Sequence, residues 1–386
     1  MTPLHVAVAL DGAGWHPAAW REPDARPAEL LSARYWTDLA TEAEAGLLDF
    51  VTFEDALGLQ PGGAGRVQGR LDAVLIAARV APLTRRLGLI PTVIVTHTEP
   101  FHTSKAIATL DYVSTGRAGV RVRVSADPGE AALVGRREVP ADRADPAAEQ
   151  FVDELFGEAA DYVEVVRRLW DSWEDDAEIR DAATGRFVDR AKLHYIDFHG
   201  PWFSVKGPSI TPRPPQGQPV VAALAHRSEP FRLVGASADI GFVTPQDAAQ
   251  AAGIVAQIRA AQAAAGREAQ TVHVFGDLVV YLDTDEATAA GRRDRLDERA
   301  GGQYASDAQS FAGSPAQLAD LLQEWHTAGL TGFRLRPAAI PHDLTQVTRA
   351  LVPELQRRGA FRGRYEASTL RGLLGLPRPA SRYATV

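Results

Sequence analysis

Four arginines alternate with apolar residues in two short runs. Arg121 and Arg123 stand in GVRVRVS (119–125), and Arg334 and Arg336 in GFRLRP (332–337). A period of two is the pattern of a β-strand, so each pair shares one face of its strand. If that face lies inside the protein, each guanidinium needs a partner, because an unpaired buried charge is prohibitively costly. The acidic candidates are Glu54 and Asp55, adjacent after the apolar run FVTF, and Asp239. An internal Arg–carboxylate network would satisfy the requirement, and so would an anionic substrate or cofactor. A third arrangement turns both arginines toward a surrounding helix layer.

Other residue types narrow the chemistry. His97 and His102 lie at and just after the end of an apolar run, where a histidine serves as a general acid or base, or simply caps and packs. Asp55 in the same kind of position is a catalytic acid, a helix cap or an ion-pair partner. His194 and His199, with Asp197 between them, lack the spacing of a metal site, so no metal is expected. The chain has no cysteine, which excludes disulfides, thiolate nucleophiles and Cys-based metal centres. GASAD (235–239) is not the G-x-S-x-G turn of a serine hydrolase. DGAGWHP (11–17) has Pro17 where a dinucleotide fingerprint needs its third glycine, and no P-loop is present. Trp15 and Trp202 stand in irregular segments and are the aromatics best suited to meet a ligand.

The elements that must position these residues are short apolar runs at 4–10, 50–53, 87–96, 119–125, 219–225, 239–244, 272–282 and 332–336. Between them lie helical patterns. RYWTDLATEAEAGL ends at Gly46, RLDAVLIAARVAP stops at Pro82, and EAADYVEVVRRLWDSW repeats apolar residues every three to four positions. SPAQLADLLQEWHTAGL begins with Ser314 as N-cap and Pro315 at the first helical position. Strands alternating with helices of this length indicate a parallel sheet. Eight of them fit a (β/α)8 TIM barrel, whose chemistry sits at the C-terminal strand ends; the rival is an open doubly wound sheet. The pattern reads as one barrel domain over 1–386, with polar insertions at about 127–149 and 174–218 and a C-terminal extension at about 361–386. The longer insertion is placed beside the barrel mouth, since loops of that length are usually functional.

The net charge of -8 argues against a nucleic-acid partner. No apolar run reaches membrane-spanning length, and MTPLHVAVALDGAGWHP has no basic n-region, which points to a cytoplasmic protein.

Stretches spread over the whole chain resemble the luciferase-like flavin monooxygenases, in the branch with nitrilotriacetate and dibenzothiophene-sulfone monooxygenases. They are HPAAWREP (16–23), LGLIPTVIVTHTEPFHTSKAIATLDYVSTGRAG (87–119), DYVEVVRRLWDSWEDDA (161–177), GPSITPRPPQGQPVV (207–221) and TLRGLLGLPRP (369–379). The resemblance implies a homodimeric TIM barrel, pairing through helices that flank its early strands. It implies that the barrel takes reduced FMN from a separate flavin reductase and uses O2 on a small molecule. Carried over by residue, Asp55, Thr96 and His97 would face the flavin, and His102 sits in EPFH where the family has EPYH. In strand 4 the family's GWNVVTS becomes GVRVRVS, with Arg121 for Asn, Val124 for Thr and Ser125 kept. A tyrosine that reaches the FMN phosphate becomes Phe156. The phosphate loop QAGxS becomes ALAHRS (223–228), which loses its glycine, gains His226 and Arg227, and keeps Ser228. Arg227 and Ser228 would then hold the phosphate, at the start of the helix expected over EPFRLVGA. Those departures also fit a second reading: a barrel with a lost or redirected flavin site, using deazaflavin F420 or binding without catalysis.

Overall fold

The computed structural model describes residues 4–60, 62, 65–140 and 146–384. The eight expected strands form, all parallel. They are β1 (His5–Leu10), β2 (Phe50–Phe53), β3 (Gly88–Ile94), β4 (Gly119–Arg123), β5 (Val220–Leu224), β6 (Ile240–Val243), β7 (His273–Leu282) and, after a short β8 (Gln309–Gly313), β9 (Gly332–Pro337). The order β6-β5-β4-β3-β2-β1-β9-β7 closes through a β6–β7 pairing, so the sheet is a barrel and the open-sheet alternative is excluded. The β8 strand was not expected. It pairs with Leu278–Leu282 at the far end of β7, beyond the stretch that β6 covers.

Among the described residues, helices surround the strands: α1 (Ala33–Ala45), α2 (Ala73–Val80), α3 (Pro100–Val113), α4 (Pro128–Val134), α5 (Pro146–Asp171), α6 (Ser228–Ser237), α7 (Ala248–Ala264), α8 (Glu286–Ala300), α9 (Pro315–Thr327) and, after β9, a helical run over 342–357. Their starts follow local chemistry. Ser314 caps α9 in a reciprocal box with Gln317, with Pro315 at the first helical position, and Asp72 accepts from the Leu75 amide to start α2. The period-two pattern then sorts side chains between two cores. Val120 and Val122 of β4 point outward and join Val51, Leu89 and Leu335 against the helices. Phe50, Ile90, Phe242 and Phe275 point inward and fill the lower barrel. Leu370, Leu374 and Leu376 from the C-terminal extension close this floor. The approach is tight: a Cβ at Gly88 would stand 2.5 Å from Leu370 Cδ1.

One expectation about the insertions changes. The 127–149 segment holds α4 and the first turn of α5. The 174–218 segment does not cover the mouth. It joins α5 to β5, and a helix-to-strand connection must end at the N-terminal side of the barrel. Gln216 Nε2 accordingly donates to the Ala118 carbonyl at the foot of β4, and Arg213 pairs with Asp171 at the end of α5. Of two small hairpins within the segment, the second packs Phe198 against Val165 and Leu169 of α5, and Trp202 packs on Gly157 of α5 rather than near a ligand site.

Candidate active site

Above the apolar floor, the inward positions of β2, β4, β7 and β9 carry charge. Arg121 forms an ion pair with Glu54 and donates to Thr92 Oγ1 (3.1 Å). Glu54 also accepts from Arg334 Nη1 (3.0 Å) and Thr52 Oγ1 (3.1 Å). Arg334 Nε donates to Asp277 Oδ1 (2.9 Å), and Arg336 Nε to Asp277 Oδ2 (2.9 Å). Arg336 Nη1 then reaches Asp307 at 2.6 Å. The result is a chain of alternating charge, Arg121–Glu54–Arg334–Asp277–Arg336–Asp307, with three cations and three anions. Aromatic faces cover it: Arg334 lies 4.1 Å from the Phe242 ring centre and Arg336 4.4 Å from that of Trp15. Burial would lift the Glu54 carboxyl, but Arg121, Arg334 and Arg336 outweigh it and hold its pKa at about 2.

Of the three acids expected as arginine partners, Glu54 alone takes the role. Asp239 lies at the opposite end of the barrel, on Arg167 (2.8 Å) and Arg371 (3.4 Å). Asp55 accepts from the Ala56 amide (2.8 Å) and the Ala73 amide (3.0 Å), which fixes the approach to α2. Asp277 takes the place left to them. It sits within the apolar run VFGDLVVYL, where a single acid between valines gives little warning of its partners.

At the rim, Arg123 donates to the Asp55 carbonyl (2.7 Å), and the Ser125 amide donates to Thr96 Oγ1 (2.8 Å). The C-terminal ends of β2, β3 and β4 are thereby tied together. Across them lies α4, whose Glu130 accepts from Ser125 Oγ (2.5 Å) and the Leu57 amide (3.1 Å) and lies 3.5 Å from Arg123. The position of Glu130 in a polar insertion hid it from the sequence reading. His97 is buried beside this strap, and neither ring nitrogen has a partner. Burial, aided by Arg137, pushes its pKa below the ordinary histidine value and favours the neutral ring.

Three adjoining cavities form a trough over the mouth. A 560 Å³ cavity is lined by Arg123, Ser125, Val152 and Arg227. It shares Arg123 and Asp127 with a 390 Å³ cavity above Glu54, Asp55, Arg70 and Arg121. That one shares Asp11 and Gln60 with a 270 Å³ cavity walled by Trp15, Trp20 and Tyr304. The larger two fall within the size range of ligand sites. Asp55, Thr96, Arg121, Ser125 and Arg227 of the expected site thus gather at the mouth, with His97 just beneath. Phe156 is half-buried on α5 against the outer core. Ser228, exposed at the start of α6, donates to Glu229 (2.5 Å). His102 is exposed in the first turn of α3, its ring edge-on to Phe101. Among the described residues no cluster of metal-ligating side chains occurs, and no helix is long and apolar enough to cross a membrane.

A closed parallel barrel with a polar trough at its C-terminal mouth defines an enzyme scaffold of the TIM-barrel class. The sequence profile of the luciferase-like monooxygenases matches residues 14–332, and the chain belongs to that family. It is 29% identical to the N-acetyl-S-(2-succino)cysteine monooxygenase of Bacillus subtilis (strain 168), over 99% of this chain and 98% of that one. It is also 29% identical to nitrilotriacetate monooxygenase component A of Aminobacter aminovorans, with 96% of each chain covered. Among solved structures, that of a long-chain alkane monooxygenase superposes with a TM-score of 0.85 at 23% identity, covering 97% of this chain and 96% of the other.

Proposed function

We propose that this chain is the oxygenase component of a two-component flavin monooxygenase. It receives reduced FMN from a separate reductase and uses O2 to oxidise a small organic substrate. The observation that carries this reading is the trough itself, at whose rim Thr96, Ser125 and Arg227 come together with Arg123. The residues present fit the cofactor. Arg123 and Arg227 offer forked donors to a phosphate in the 560 Å³ cavity, beside the N-terminus of α6. The adjoining 390 Å³ cavity, floored by Arg121, would take the ring system. His97, buried with both nitrogens unpartnered, supplies a neutral polar group next to it.

When bound, reduced flavin supplies the electrons that let one oxygen atom of O2 enter the substrate while the other leaves as water. The rest is the chain's work. Arg123 and Arg227 anchor the phosphate. Glu130 draws α4 down onto Ser125 and the Leu57 amide, which keeps water from the reacting centre. Ser228 has only to rotate its hydroxyl off Glu229 to face a phosphate, while Ser125 stays on Glu130. Arg121 is held below the rim by Glu54 and Thr92, which leaves the cavity above it open. The same reading extends to a homodimer that the reductase visits transiently.

Anaerobic titration of the protein with FMN, FMNH2 and F420, alongside Arg121→Asn, tests the proposal. Micromolar or tighter binding of FMNH2 by the native chain is expected. Binding of F420 alone, or flavin binding that appears only in Arg121→Asn, would refute it.

A further inference from the structure

One acid–base pair at the mouth has no side-chain hydrogen bond among the described residues. Asp11 follows β1, and Arg70 lies in the loop before α2; Arg70 Nη1 stands 3.8 Å from Asp11 Oδ1. Their side chains are 31% and 19% exposed, respectively. Arg70 is alone among the described arginines that are not exposed in donating no hydrogen bond, and its Nε is buried without an acceptor. The Nη groups face the open cavity, but a shielded Nε without an acceptor is unfavourable, and a bound partner that takes the guanidinium edge removes that penalty. The other rim acids are already engaged. Glu54 holds Arg121 and Arg334, Asp55 holds two amides, Asp127 accepts from the Glu130 amide (2.9 Å), and Glu130 straps α4. Asp11 and Arg70 are the groups left to recognise something.

Their surroundings say what. Both face the 390 Å³ cavity, and Asp11 also borders the 270 Å³ cavity of Trp15, Trp20, Val67 and Tyr304. A ligand seated in the 270 Å³ cavity, its head group at the edge shared with the larger one and beside the flavin ring, needs a carboxylate for Arg70, a cationic donor for Asp11 a few ångströms away, and an apolar body for the aromatic wall. A simple anion would leave Asp11 unmatched, and a simple amine would leave Arg70 unmatched. A zwitterion matches both. We propose that Asp11 and Arg70 form the head-group subsite for an α-amino acid with an aromatic or apolar side chain, and that this is the substrate class. The word substrate rests on the monooxygenase reading; the binding itself does not.

Calorimetric titration with L-phenylalanine, 3-phenylpropanoate and 2-phenylethylamine tests this, using the native chain, Arg70→Gln, Asp11→Asn and Arg70→Lys, with FMNH2 affinity and a melting curve for each. The native chain is expected to bind phenylalanine at least tenfold more tightly than either analogue. Arg70→Gln and Asp11→Asn should erase that preference without changing the melt, and Arg70→Lys should keep part of it. Equal binding of the three compounds, no binding, or a preference that survives Arg70→Gln overturns the proposal. Phenylalanine binding without any flavin binding would sink the monooxygenase reading and leave this subsite standing.

Discussion

Replacing Asp277 with asparagine keeps the shape of the barrel interior and removes one charge. Asp277 accepts from Arg334 at 2.9 and 2.5 Å and from Arg336 at 2.9 and 2.5 Å, and neither arginine is more than 1% exposed. In the native chain three guanidiniums face three carboxylates. In Asp277→Asn three face two, and the new amide turns a donor toward one of them. Removing one partner of a buried pair costs about 3–5 kcal/mol, because the other charge is stranded. A Coulomb estimate agrees: at an effective dielectric of about 20, one contact near 4 Å is worth roughly 4 kcal/mol. That is a large share of a typical folding free energy of about 5–15 kcal/mol. Urea unfolding followed by circular dichroism measures it directly. The double variant Asp277→Asn/Arg334→Met removes the stranded charge along with the acid and should recover much of the loss. A single variant within about 1 kcal/mol of native, or a double variant worse than the single, would refute the idea that charge balance holds the barrel together.

Arg227→Ala should weaken FMNH2 binding at least tenfold with no change in melting temperature, since the side chain is half exposed and makes only a loose contact with Glu229 (3.5 Å); fluorescence titration reads both halves of that expectation. Leu370→Ala should cost about 2–5 kcal/mol in denaturant melts, the usual penalty for hollowing a fully buried leucine site. Burial pushes His273 down to about 4. The native state therefore binds fewer protons than the unfolded chain, whose histidine titrates near 6.5. Stability is whole above that value and falls as pH drops toward 4, by at most about 3 kcal/mol. His273→Gln should flatten melting temperature against pH in that window, and an unchanged slope would show that other groups set it.

Much of the architecture was legible because period-two and period-3.6 patterns report which face is buried. All eight barrel strands followed from apolar runs, and α9 from its cap. The strand β8 was not legible: QSFAG is small and polar, and only β7 gives it a reason to be extended. The 174–218 segment was misplaced because its length suggested function, while its topology, helix to strand, sends it to the other end of the barrel. At the mouth, the alternation of Arg121 and Arg123 put both on one strand face without deciding whether it looked inward, and Glu54 was among the acids offered for it. Asp277, Glu130, Asp11 and Arg70 carried no such signal. Their roles come from distant strands and loops meeting in three dimensions, which local spacing does not record.

The leucines that seal the barrel floor also set a timetable for folding. Phe50 and Gly88 are made early, while Leu370, the side chain packed beneath them, lies more than 280 residues further along. On the ribosome the first strands can pair but cannot bury their lower ends until that last segment emerges. The nascent barrel therefore spends most of its synthesis with an apolar opening at its base, a natural target for chaperones. Contacts of such long sequence separation carry the loop-closure entropy that slows folding. A bulky fusion close behind residue 376 would tax this step more than it would harm the finished enzyme.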